Sequence, residues 1–104
     1  SDSMLFNTDA ESYNDYVGVY KVKNYQSPLH SRVDSVLITI ENEELIQIVC
    51  FAHNKSYREM VPGNGYFRNK QSTGFYRFIK EPNGSVLGYT WSNGVRRMEM
   101  YKVR

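Results

Sequence analysis

With 104 residues, 40% of them hydrophobic and 23% charged, the chain has the size and composition of one globular domain and not of a disordered segment. Thirteen basic residues face eleven acidic ones, for a formal charge of +2, and Arg96-Arg97 is the only adjacent basic pair, so the clustered footprint of a nucleic-acid binder is excluded. The single cysteine, Cys50, excludes an intrachain disulfide, and the lack of any apolar stretch near 18 residues excludes a transmembrane helix.

Thr8-Asp9-Ala10-Glu11 has the form of a capping box, Thr8 accepting from the backbone and Glu11 reaching back. It predicts one or two helical turns to about Tyr13 or Asn14, either capping a barrel mouth or ending a linker. Residues 1–15 are therefore read as linker and short helix, and residues 16–104 as the folded domain. Ser1-Asp2-Ser3 reads as a cut within a longer chain, which leaves room for a leader or an upstream domain, so the missing signal sequence weighs little.

Tyr16 to Lys23 is the first predicted strand, with Gly18 inside it permitting a bend or a close approach of backbones. Asn24 to Arg32 is a long connection, expected to be mobile, in which Pro28 bars continued pairing. Val33 to Ile40 alternates around Val36, Ile38 and Ile40, which face the core. After the polar turn Glu41 to Glu44, Leu45 to Ala52 returns as a strand apolar on both faces, whose register is open. His53-Asn54-Lys55 leads to Ser56–Val61, and Pro62-Gly63-Asn64-Gly65 is a turn by its fixed and positive φ requirements. Then come Tyr66 to Asn69, a link at Lys70-Gln71, and Thr73 to Lys80, with Tyr76 and Phe78 on one side and Phe75, Arg77 and Ile79 on the other. Turns at Glu81-Pro82-Asn83-Gly84 and Ser92-Asn93-Gly94 bound Ser85 to Trp91 and Val95 to Val103.

About eight strands in hairpin order predict an all-β, antiparallel up-and-down meander barrel, since closure removes exposed sheet edges. A two-sheet sandwich is the other architecture this rhythm can build. An eight-stranded barrel is just filled by side chains or holds one small ligand, and strands this short predict a mostly filled interior.

Catalytic chemistry finds little support. Cys50, His53 and His30 are the conceivable nucleophile or metal set, but Cys50 and His53 stand three apart, on opposite faces of extended chain. His30 lies in the Pro-containing loop, and no third group or oxyanion donor accompanies them. Cys50 is read as a buried thiol packed as a small hydrophobe. Glu41, Glu43 and Glu44 crowd a solvated turn, not a cleft. Pro62 to Gly65 lacks the lysine and following helix of a phosphate loop. No catalytic residue, metal site or cofactor is predicted.

The aromatics of the last two strands are the candidate binding residues. Tyr89, Trp91 and Tyr101 flank Arg96 and Arg97, and the simplest hairpin places Trp91 near Val95 and Tyr89 near Arg97. Tyr89, Trp91, Arg97 and Tyr101 at a barrel mouth suit a small amphipathic or sugar ligand, or an anionic group. The competing reading makes the aromatics core and girdle, with the arginines laid over them.

Tyr16-Val17-Gly18-Val19-Tyr20, Ile38-Thr39-Ile40-Glu41 with Leu45, Glu59 to Gly63 before Tyr66-Phe67, and Phe78 to Gly88 resemble, in order and spacing, a lipocalin-like module. That module, of unassigned function, follows bacterial serine hydrolases of the β-lactamase-related class. The resemblance spans Tyr16 to Val103. True lipocalins open Gly-x-Trp where this chain has Gly18-Val19-Tyr20, so their ligand pocket does not carry over. The resemblance implies a non-catalytic accessory or interaction barrel, a hydrolase domain as intramolecular or protein partner, and a periplasmic or extracellular location. The alternative is a stand-alone barrel for a small ligand, and the third reading is a small Cys50 enzyme.

Overall fold

The computed structural model describes residues 13–25 and 33–104. Eight strands follow in chain order: β1 (Gly18–Tyr25), β2 (Val33–Glu41), β3 (Glu44–Phe51), β4 (Lys55–Pro62), β5 (Phe67–Asn69), β6 (Phe75–Lys80), β7 (Val86–Ser92) and β8 (Arg97–Lys102). Each pairs antiparallel with the next and β8 closes on β1, so the chain forms one closed up-and-down barrel and not a sandwich. Most of the predicted helix and residues 26–32, with His30, lie outside the described residues. No described helix is long and apolar enough to cross a membrane.

The first strand departs from its expected bounds. Tyr16 and Val17 belong to a turn, their amides donating to the carbonyls of Tyr13 and Asn14 at 2.9 and 3.3 Å. Asn24 and Tyr25, expected in the loop, extend β1 instead. A bulge at Lys23 lets them keep pairing with Glu99 and Met98 of β8.

Bulges also decide which side chains fill the barrel. In β2 the register slips at Asp34, so Val33 pairs with Phe51 and Val36 with Val49 although they stand three apart. In β7 the extra residue Leu87 puts both Val86 and Tyr89 inside. Val36 and Ile38 are buried as their alternation predicts, and β6 turns Tyr76 and Phe78 inward while Phe75, Arg77 and Ile79 face out.

One end of the barrel is closed by rings. Tyr16 lies 4.3 Å from Phe78 and 5.6 Å from Phe67, centroid to centroid, and Tyr13 packs edge-on to Phe67 at 5.7 Å. Tyr20 and Tyr89 continue the stack inward at 5.1 Å. The Tyr20 hydroxyl donates to the Tyr16 carbonyl at 2.6 Å, Lys80 Nζ sits 4.6 Å above the Tyr16 ring, and Lys102 Nζ donates to the Asp15 carbonyl. Such edge-to-face rings add to their area burial. Tyr13 and Tyr16 thus cap this end of the barrel.

The sheet is thinnest at β5, which gives only three pairs to β4 and two to β6. The 70–74 loop mends this seam with a side chain. Gln71 Oε1 accepts from the Glu59 amide at 3.1 Å, Gln71 Nε2 donates to Glu59 Oε1, and Lys70 Nζ pairs with Glu59 Oε2 at 3.0 Å. Asn69 Oδ1 in turn accepts from the amides of Gln71 and Ser72. Gln71→Ala is expected to lower stability in urea by about 1 kcal/mol and to speed hydrogen exchange at the Glu59 amide above that of the β2–β3 ladder. Exchange at Glu59 unchanged relative to that ladder would contradict this role.

Candidate functional site

Midway along the axis the rings give way to polar atoms. Gln47, on the inner face of β3, donates through Nε2 to the Tyr89 hydroxyl at 2.8 Å, and its Oε1 accepts from the Tyr76 hydroxyl at 2.9 Å. The Tyr76 hydroxyl accepts from Asn69 Nδ2 at 3.2 Å. Gln47 and Asn69 are the two buried polar side chains of the described residues, and these bonds offset the cost of their burial. Burial pushes the Tyr76 phenol up to about 12, against the pull of the Arg58 charge and of the Asn69 hydrogen bond. It therefore stays neutral at neutral pH. Burial also raises Tyr89 and Tyr20, each further raised by a neighbouring tyrosine.

Above this layer the interior is not filled. A half-open cavity of about 170 Å³ occupies the end where β2 begins and β3 ends. Its walls are Val33, Val49, Phe51, Trp91 and Met98, and Gln47 and Tyr76 line it from the polar layer. Arg58 is the one charged residue among the described lining residues. Its position is fixed by register: Arg58 pairs with the inward-facing Gln47, and on β4 it shares the inner face with Ser56 and the buried Met60. Arg58 Nε donates to Ser56 Oγ at 3.2 Å. A void of about 150 Å³ with apolar walls takes a benzene ring, so this one has room for a small molecule.

The four predicted binding residues do not meet. Trp91 lines the cavity, half-buried. Tyr89 lies fully buried, its hydroxyl in the polar layer and its ring touching Tyr20, Tyr76 and Phe78. Arg97 and Tyr101 project from the outer wall, where Arg97 pairs with Glu99 at 3.5 Å and Tyr101 is 46% exposed. The expected hairpin register is also corrected. Trp91 pairs with Met98 and Tyr89 with Met100, while Arg97 faces Ser92. The cause is a four-residue loop held by Asn93, whose Oδ1 accepts from the amides of Val95 and Arg96 and whose amide donates to the Arg96 carbonyl.

Sequence reasoning missed Arg58, Gln47 and Tyr76 as site residues, and no hydrophobic pattern marks them. On β4 the outward residues Tyr57 and Val61 are as apolar as the inward set of Ser56, Arg58 and Met60, so alternation cannot choose the face. Cys50, expected to be buried, is half-buried on the outer face of β3, with its thiol 3.8 Å from the Ile48 carbonyl, and His53 is exposed in the following turn. Among the described residues no group of three or more His, Cys, Asp or Glu is placed to hold a metal.

The outer wall carries a second feature. Val19, Leu37, Ile48 and Tyr57 pair in one row across β1 to β4, and Val103, hydrogen-bonded to Val19 just past β8, extends it. Tyr57 is 61% exposed and Val103 49%. Comparison with family models, with curated proteins and with solved structures finds no match to this chain.

Proposed function

We propose that this chain is a binding barrel that holds one small molecule in the open half of its interior. The observation that carries the reading is the division of the interior. One half is plugged by Tyr13, Tyr16, Phe67 and Phe78, while the other keeps an apolar cavity of about 170 Å³ with a few convergent polar groups. Trp91, the chain's single tryptophan, forms one wall and reports occupancy directly. Small neutral aromatics such as benzyl alcohol are expected to change Trp91 emission saturably. Val49→Phe, which fills the cavity, is expected to weaken that binding about tenfold or more. A linear response without saturation, or equal affinity in a folded Val49→Phe variant, would overturn the reading.

A second reading, an accessory domain packed on a serine hydrolase, rests on the resemblance of Tyr16 to Val103 and is favoured by the apolar row from Val103 to Tyr57. Such a row is the kind of surface a partner covers. The reading brings with it the periplasmic or extracellular location. A hydrolase domain encoded in the same reading frame supports it, and a frame holding this barrel alone counts against it.

A further inference from the structure

The cavity holds a positive charge that no carboxylate among its described lining residues balances. Arg58, half-buried on the inner face of β4, carries five N–H donors and a positive charge. One donor goes to Ser56 Oγ, and among the described residues no carboxylate lies within ion-pairing distance of the guanidinium. Tyr76, beside it, is kept protonated by burial and supplies no counter-charge. Gln47, only 3% exposed, gives one amide N–H to Tyr89 and its carbonyl to Tyr76. Its second N–H has no acceptor among the described residues, and Gln47 lines the same cavity. Two sets of donors without a full complement of acceptors among the described residues, one of them charged, thus border a small apolar void.

Resting on the pocket reading above, we infer that the resident ligand is a small monocarboxylate with an aromatic or short aliphatic body, its carboxylate seated on the Arg58 fork and its body against Trp91, Val49 and Phe51. A planar guanidinium matches a carboxylate with two parallel N–H donors, and such charge-assisted bonds are about twice as strong as neutral ones. A single cation balances one negative charge. A phosphate dianion would leave the second uncompensated beside apolar walls, which low dielectric penalises. The volume sets the body: a ring fits, and a long acyl chain extends out of the mouth.

Benzoate and its neutral isostere benzamide test this in the intact chain, by calorimetry and Trp91 emission. Benzoate is expected to bind about ten- to a hundredfold more tightly than benzamide. Arg58→Met is expected to erase that preference, weakening benzoate about tenfold or more while leaving benzamide within about twofold. Arg58→Lys keeps the charge without the fork and is expected to fall between, which holds the test open if the Met variant misfolds. Benzamide binding with no benzoate preference would overturn the carboxylate assignment and leave the pocket intact. A preference that survives in folded Arg58→Met would also overturn it, as would phenyl phosphate binding more tightly than benzoate. Failure of both probes to bind would overturn the pocket reading as well.

Discussion

Gly88→Ala is expected to leave the chain largely unfolded, at a cost above about 4 kcal/mol, a large share of the stability of a domain this size. Gly88 lies on β7 between Ile79 of β6 and Tyr101 of β8. An added Cβ would run into the Met100 carbonyl oxygen, with Met100 C and Tyr101 Cα at 3.0 Å. All three are backbone atoms of the paired strand, so no side chain can swing aside. Relief requires β7 and β8 to separate, and with them the inward side chains Tyr89 and Met100 that pair one residue further on. Gly84→Ala is the matched control. Its φ is +93° but no atom lies within 4 Å of the added Cβ, so only backbone strain of about 1–2 kcal/mol is expected. Urea unfolding of both variants checks the contrast, and a cooperative Gly88→Ala transition as stable as that of Gly84→Ala would contradict it.

Alkaline pH is expected to dismantle the barrel from its centre. Tyr20, Tyr76 and Tyr89 all have folded pKa values above the ordinary 10, raised chiefly by burial. A raised pKa means that the folded chain keeps protons the unfolded chain gives up. Stability is therefore fully present below about pH 10 and falls as pH rises through the gap, by about 1.4 kcal/mol per pH unit for each tyrosine. Together the three remove up to about 4 kcal/mol per unit, and the contribution of Tyr76 is spent near pH 12. In a pH titration followed by phenolate absorbance, these three rings should ionise only as the chain unfolds. Tyr89→Phe separates the terms: it leaves a Gln47 donor unmet and costs about 1–3 kcal/mol at neutral pH, yet flattens the alkaline slope by about one third. Urea stability that stays level between about pH 9 and about pH 11 would contradict the role given to these phenols.

The barrel was legible because turn chemistry is local. Pro62 to Gly65, Glu81 to Gly84 and Ser92 to Gly94 each carry glycine where φ is positive, at Gly65, Gly84 and Gly94. The β2–β3 hairpin was legible only by polarity, since Asn42 and Glu43 adopt φ of 52° and 66° without a glycine. The interior was harder to read because bulges shift parity by one residue. The bulges at Lys23, Asp34 and Leu87 follow from the curvature of a closed sheet, a long-range demand that leaves no mark in local sequence. β3 shows the limit most plainly. It buries Gln47 on the inner face and leaves the more apolar Ile48 half-buried on the outer one. The reason is that Gln47 completes a polar layer with Tyr76 and Tyr89 from distant strands. The register of the last hairpin was misread for a smaller reason: the four-residue loop held by Asn93 sets Arg97 opposite Ser92 and not Tyr89.

Function turns on where a small molecule binds, so the decisive measurement is a two-dimensional amide NMR titration with benzoate. Binding in the barrel interior predicts saturable shifts at the Trp91 indole N–H, the Gln47 side-chain amide and Arg58 Nε, with Leu37, Ile48 and Tyr57 on the outer wall unmoved. Shifts confined to that outer row, or none at all at saturating probe, would contradict it.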